Sequence, residues 1–255
     1  MSRDFSAQRA AFRKLHESGC FVMPNPWDLG SLRRLEKLGF KALASTSAGY
    51  AWTLGKDDGE LSRQDVLDHL AELSAATDLP INADFEAGFA HDPEGVAESV
   101  TLAVATGVSG ISIEDRKDKD LYDFALAVER IKAARAAIDA TGQDVLLVGR
   151  CENYLVDRKE IRPTIERLVA YAEAGADVLY APFVMDLEEI AQIVRAVAPK
   201  PVNVLIPGPG LRVGDLAERG VRRISVGAGL ASVAYGAADK AAKQLLDEGT
   251  LPPRV

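Results

Sequence analysis

Short apolar runs alternate with stretches of helical period along the whole chain. The runs Cys20–Pro24, Lys41–Thr46, Pro80–Asp84, Gly110–Glu114, Val145–Arg150, Asp177–Ala181, Pro201–Ile206 and Arg223–Gly227 have the length and apolar character of buried strands. Between them, groups such as Val66, Leu67, Leu70 and Leu73, or Ile165, Leu168, Val169 and Ala172, recur at the spacing of one helix face. Eight strands, each followed by a helix, predict an α/β fold of the (β/α)8 TIM-barrel type, which usually takes about 250 residues. A doubly wound open sheet shows the same alternation, but the count of eight favours the barrel. No Gly/Ser-rich linker or low-complexity segment interrupts the pattern, so residues 1–255 are expected to form a single domain.

A second rhythm supports this reading. The helices before the even strands end at a glycine, in Leu38-Gly39-Phe40, Thr106-Gly107-Val108, Ala174-Gly175-Ala176 and Arg219-Gly220-Val221. A left-handed glycine at that point stops a helix and turns the chain into the next strand. Pro80 and Pro201 open two of the odd strands, where a missing donor is tolerated. Such alternation fits repeated βαβα units closing on themselves.

Composition narrows the function classes. Apolar residues make up 47% and charged residues 27% of the chain, enough to bury a large core in a globular protein. The net charge of −8 comes from interspersed acids and bases, which argues against a nucleic-acid partner. Cys20 and Cys151 have neither metal-type spacing nor the number for a disulfide framework. The start, Met1-Ser2-Arg3-Asp4-Phe5, lacks an apolar signal core, and no apolar run reaches membrane-spanning length. A cytoplasmic protein without a membrane partner is expected.

The chemistry gathers where strands end, which is where a TIM barrel carries its active site. Asp84 and Glu86 are two residues apart, so both carboxylates can aim at one point, and Glu114 closes the next strand. Carboxylates at the end of a buried strand are costly unless a cation or donors receive them. Three oxygen donors with no Cys or His beside them suit a hard divalent ion such as Mg2+, with Mn2+ as the alternative. The competing reading is that these acids cap the following helices or pair with Arg116 and Lys117. Arg150 either neutralises the cluster or clamps a carboxylate or enolate oxygen with its planar fork. Thr46, Ser47 and Ala48 are either a helix cap or backbone donors for an anionic substrate end. Asp58 either caps the helix beginning near Ser62 or stands at the mouth. Trp27 is a packing or substrate-contact residue, and Asn203 ties a neighbouring strand or faces substrate. His16, His69 and His91 fall outside the strands, where solvated helix or loop roles are expected.

Other chemistries lose ground on the same residues. Strands three to eight hold no interior lysine for a Schiff base, and no Ser-His-Asp set lies at the rim. Pro207-Gly208-Pro209-Gly210 and Gly227-Ala228-Gly229 follow the last two strands, where many barrels hold phosphate, so a sugar-phosphate isomerase stays open as a rival.

Taken in order, these motifs resemble the phosphoenolpyruvate mutase/isocitrate lyase superfamily. The resemblance runs from about Pro24 to Gly229. It includes Thr46-Ser47-Ala48-Gly49, Asp58 within Leu54-Gly55-Lys56-Asp57-Asp58-Gly59, Asn82-Ala83-Asp84-Phe85-Glu86-Ala87-Gly88-Phe89, Ile113-Glu114-Asp115, Gly149-Arg150-Cys151-Glu152 and Arg222-Arg223-Ile224-Ser225-Val226-Gly227. It implies a Mg2+-dependent enzyme acting on small 2-oxo or related carboxylates. Asp84, Glu86 and Glu114 would then hold the ion, partly through water, with Glu86 standing where aspartate is usual. Thr46, Ser47 and Ala48 would bind the substrate's oxyanion end, Arg150 its carboxylate or oxygen, and Asp58 would lie near the metal. The resemblance further implies a homo-oligomer, a tetramer or dimer, whose last helix packs on a neighbouring subunit; residues Ala231–Glu248 would form that helix.

The chain departs from that pattern after the fourth strand. Isocitrate and methylisocitrate lyases carry a lid there with a catalytic cysteine. This chain has only Arg116-Lys117-Asp118-Lys119-Asp120-Leu121-Tyr122 before the helix resumes at Asp123-Phe124. A lid excludes water and completes a catalytic set, so the short segment argues against isocitrate cleavage. The expected activity is carbon–carbon lyase or decarboxylase chemistry through a metal-stabilised enolate. Phosphorus–carbon chemistry and a non-catalytic metal and oxo-acid binder are the rivals.

Overall fold

The computed structural model describes residues 3–253. Helix α1 (Ser6–Leu15) precedes β1 (Phe21–Met23), α2 (Leu29–Lys37) and β2 (Leu43–Ala44). Two helices, α3 (Ser47–Thr53) and α4 (Arg63–Ala76), lead to β3 (Ile81–Asp84), α5 (Pro93–Ala105) and β4 (Gly110–Glu114). A small hairpin, β5 (Arg116–Lys117) and β6 (Asp120–Leu121), intervenes before α6 (Phe124–Ala140) and β7 (Leu146–Arg150). Then follow α7 (Ile161–Glu173), β8 (Val178–Tyr180), α8 (Leu187–Val197), β9 (Val202–Leu205), α9 (Val213–Glu218), β10 (Arg223–Ser225) and α10 (Gly229–Glu248).

Eight of these strands pair in parallel in the order β1-β10-β9-β8-β7-β4-β3-β2, a nearly closed (β/α)8 barrel. The remaining seam is drawn together by Ala44 N–H donating to the Pro24 carbonyl at 3.1 Å. Beside it, Asn25 Nδ2 donates to the Ser45 carbonyl at 2.9 Å. Each expected strand is present, Gly110–Glu114 with the expected bounds and the other seven trimmed at one or both ends. Gly39, Gly107, Gly175 and Gly220 all take positive φ, at 87°, 94°, 105° and 83°, so the glycine rhythm marks real helix stops.

Strand alternation sorts the core into two parts. Outward residues such as Ile81, Ala83, Ile111, Ile113 and Leu147 join Leu70, Val100, Ile131 and Leu168 of the helices in the layer around the sheet. Fully burying an aliphatic side chain of this kind contributes roughly 1.5–3 kcal/mol. Inward residues form a smaller cluster of Met23, Ala44, Leu146, Val148, Val178 and Leu205, plugged from below by Phe12. That plug comes from α1, whose Arg9 is buried and donates to the carbonyls of Val104 at 2.9 Å and Val108 at 3.1 Å.

Two details differ from expectation. His69 is not solvated: it is 3% exposed and stacks on Tyr50, with ring centroids 3.7 Å apart. Burial holds it neutral, pulling its pKa down to about 4. His16 is half-buried against Phe12 and Phe21, whereas His91 is exposed on its loop as expected, its ring bonded to the Tyr122 hydroxyl at 2.7 Å. Along α10 Ala231 alone is buried, while Leu230, Val233, Tyr235, Leu245 and Leu246 lie exposed. No helix of the described residues is long and apolar enough to cross a membrane.

Candidate active site

Asp84 ends β3 with its side chain turned inward by the same alternation that turns Ala83 outward. One oxygen accepts from Arg150 Nη1 at 3.0 Å. The other accepts from the backbone N–H and the hydroxyl of Ser47, both at 3.0 Å. Ser47 opens α3, so the positive end of that helix faces the carboxylate. Thr46 caps the same helix by accepting from Gly49 N–H at 3.3 Å. A side chain at Gly49 would collide with Thr46 Cγ2 at 2.7 Å. Capping and site-facing donors, alternatives in the sequence, are here properties of one helix end.

The next turn carries Glu86 in the left-handed region, with φ 47°, followed by Phe89 at φ 56°. Such backbone costs of order 1–3 kcal/mol per residue and persists where its surroundings over-determine it. Here Phe85 is fully buried against Phe89, and Arg130 of α6 donates to the carbonyls of Ala87, Ala90 and His91. Held this way, Glu86 presents a buried oxygen, Oε1, with no hydrogen-bond donor. Burial, reinforced by Asp84 and Asp58, lifts its pKa to about 7.

Arg150, at the end of β7, is the hub. It pairs with Asp84, with Glu114 Oε2 at 3.3 Å and with the fully buried Glu152. Glu114 also meets Arg116 Nε at 3.2 Å, yet burial outweighs both guanidiniums and its pKa is raised. The carboxylates raise the Arg150 pKa in turn, despite its burial. None of the three strand-end acids caps a helix: Asp92 caps α5 and Asp123 caps α6. The pairing of Glu114 with Arg116 is real, but it leaves Asp84 and Glu86 untouched.

A divalent ion is therefore tested by its donor set. Among the described residues no three Asp, Glu, His or Cys side chains already form a metal cage; Arg150 bridges Asp84 and Glu114 instead. The unpartnered Glu86 oxygen nonetheless needs a cation or a donor. All-oxygen donors on one wall fit a hard ion that keeps part of its water.

The cavity above this cluster measures about 340 Å³. Thr46, Ser47, Ala48, Asp58, Asp84, Glu86, Glu114, Arg150 and Asn203 all line it. Trp27 does not; its Cβ packs beside Gly49. Asp58 is exposed and accepts from Ser47 Oγ at 3.3 Å, and the cap of α4 is Ser62. Asn203 is tied to β10, donating to Ser225 Oγ at 3.0 Å and accepting from Arg223 Nε at 2.9 Å.

Sequence reasoning passed over Glu152, Tyr180 and Arg223 as members of the site. Tyr180 is inward by the two-residue period that selects Arg150. Arg223 bears the signal that marks Asp84, a charged side chain inside a buried strand. Glu152 lies beyond the strand end, and its fully buried contact with Arg150 is a property of the folded loop.

Residues 12–246 match the family described as phosphoenolpyruvate phosphomutase. A candidate lyase/mutase from Burkholderia cenocepacia J2315 is 47% identical and superposes with a TM-score of 0.94, over 97% of this chain and 92% of that one. Oxaloacetate acetylhydrolase, solved with its product oxalate, is 27% identical with a TM-score of 0.89, over 99% and 91%. Oxaloacetate decarboxylase of Pseudomonas putida (strain GB-1) is 29% identical over 246 residues, 91% of this chain and 81% of that protein.

Proposed function

The chain belongs to the phosphoenolpyruvate phosphomutase family, within the phosphoenolpyruvate mutase/isocitrate lyase superfamily, and we propose that it is a Mg2+-dependent carbon–carbon lyase for a small 2-oxo dicarboxylate. Oxaloacetate is the leading candidate, because two of the similar proteins are named for it. The observation that carries the reading is the acid wall of Asp84, Glu86 and Glu114, with one Glu86 oxygen unpartnered, facing the Arg150 fork.

Asp84, Glu86 and Glu114, with water, would hold Mg2+ or Mn2+, which when bound would supply Lewis-acid stabilisation of developing negative charge. Arg150 would donate to the 2-oxygen from the other side. The Ala48 N–H at the start of α3 would orient the carboxylate, with Thr46 fixing that helix end and Ser47 holding it against Asp84. In decarboxylation the bond from C3 to the departing carboxylate breaks and its electron pair is delocalised as the enolate. Asp58, at the solvent side, would then relay a proton from water to C3 as CO2 departs. The β5–β6 hairpin is too small to enclose a large substrate, which favours a compact one.

Purified protein incubated with Mg2+ and oxaloacetate, 2-methylmalate or phosphonopyruvate should release pyruvate from oxaloacetate, and EDTA should stop it. Turnover of phosphonopyruvate alone would establish phosphorus–carbon chemistry instead. Silence across the panel, with Mg2+-dependent oxalate binding intact, would favour a non-catalytic binder.

The exposed apolar residues of α10 support assembly of copies through this helix, as a dimer or tetramer. Light scattering should give a multiple of 27.3 kDa. Val233→Asp with Leu246→Asp should shift that mass toward the single chain. A wild-type monomer at micromolar concentration would rule this surface out.

A further inference from the structure

Beneath the acid wall, the cavity reaches a second layer of polar side chains, in which Arg223 is the only cation among the described residues. Arg223 is 1% exposed. Its Nε donates to Asn203 Oδ1 at 2.9 Å and its Nη1 to Asn82 Oδ1 at 3.2 Å. Both partners are neutral amides, held in place by Ser225 and Ser112: Asn203 Nδ2 donates to Ser225 Oγ and Asn82 Nδ2 to Ser112 Oγ, each at 3.0 Å. A guanidinium carries five N–H groups, and among the described residues Nη2 has no protein acceptor.

Charge makes the same point. The acids one layer above, Asp84 and Glu114, are paired with Arg150, and no carboxylate of the described residues forms an ion pair with Arg223. Its pKa is drawn down to about 9 by burial, with no carboxylate among the offsetting causes. A buried cation lacking a counter-charge is costly, and an N–H left without an acceptor at a cavity wall calls for one. The surrounding Ser112, Tyr180 and Ser225 add hydroxyls that can donate to an acceptor.

We propose that Arg223 forms the base of a second site at the inner end of the cavity, which binds one small anion beneath the catalytic acids. The ligand is a halide- or carboxylate-sized group, either a free inorganic anion or the second carboxylate of the substrate. A guanidinium edge with hydroxyls around it suits either. The site goes beyond the lyase reading and needs neither metal nor turnover to be seen.

The test is thermal unfolding of the metal-free protein at constant ionic strength, with sodium gluconate exchanged stepwise for sodium bromide. Gluconate is a large, weakly coordinating anion, so exchange for bromide should raise Tm by several degrees, saturably. Crystals soaked in bromide should show an anomalous peak beside Arg223 Nη2. Asn203→Asp places a carboxylate against Arg223 Nε in nearly the same shape and should abolish the bromide response while the protein stays folded. Arg223→Met should abolish it too, but that variant is secondary because it disturbs the interior. With Mg2+ present, displacement of bromide by malate but not by oxalate would assign the site to a substrate carboxylate; displacement by neither would assign it to a free anion. A bromide-independent wild-type Tm, or an Asn203→Asp protein with the full bromide response, would overturn the proposal. Because the bromide arm involves no catalysis, its failure is distinct from failure of the lyase reading.

Discussion

Asp84→Ala is expected to lower metal-dependent turnover by on the order of 10³-fold and to weaken Mg2+ binding in the same protein. The side chain does three things at once: it offers a carboxylate to the ion, takes one arm of Arg150, and accepts two hydrogen bonds from Ser47 at the start of α3. Removing it releases the Arg150 fork and the helix end together, so the loss should appear in kcat as well as KM. The position is partly open, with 19% of the side chain exposed, so the fold should survive. Asp84→Asn separates the roles. The amide keeps the shape and can still accept from Ser47, but it brings no charge for a divalent ion. If charge is what matters, both variants should be nearly inactive, and calorimetric titration with Mn2+ should show weakened binding in both. An Asp84→Asn enzyme with full activity in EDTA would remove the metal from the mechanism.

How far the chain could be read without coordinates follows from what each signal depends on. Barrel strands are buried on both faces, so they stand out as apolar runs, and their inward positions follow from a period of two. That is enough to place Asp84, Glu114, Arg150 and Asn203 around one mouth. The turn after β3 is another matter. Glu86 points its oxygen into a buried space because Arg130, 44 residues further along, fastens three carbonyls of that turn. No local pattern announces such a contact. His69 is expected in solvent because it falls outside the strands, yet Tyr50 from α3 covers it. The α1 plug escapes notice for the same reason: the helix precedes the repeating unit, and only closure of the barrel gives Phe12 a place. Trp27 shows the converse limit, since nearness to a strand end did not put it in the cavity.

Arg150→Met should destabilise the metal-free protein by about 3–5 kcal/mol, the usual result of removing one partner from a buried charge cluster. Asp84, Glu114 and Glu152 all lean on this guanidinium, and the two glutamates are at most 4% exposed. Without it they must either remain as uncompensated anions or take up protons. Burial already raises the pKa of Glu114 and of Glu152 with Arg150 in place. The arginine and a divalent ion would therefore be partial substitutes, both supplying positive charge to the same carboxylates. It follows that Mg2+ should stabilise Arg150→Met more than it stabilises the wild type, which guanidinium denaturation with and without Mg2+ would measure. Arg150→Lys should fall between them, because an ammonium supplies the charge but cannot reach three carboxylates with one planar fork. Turnover should stay low in both variants even where Mg2+ restores stability, since the donor opposite the acids is still missing or misplaced. Equal gains from Mg2+ in wild type and Arg150→Met would mean that the acids do not share their charge with an ion, and the wall would then be a structural network built around Arg150 alone.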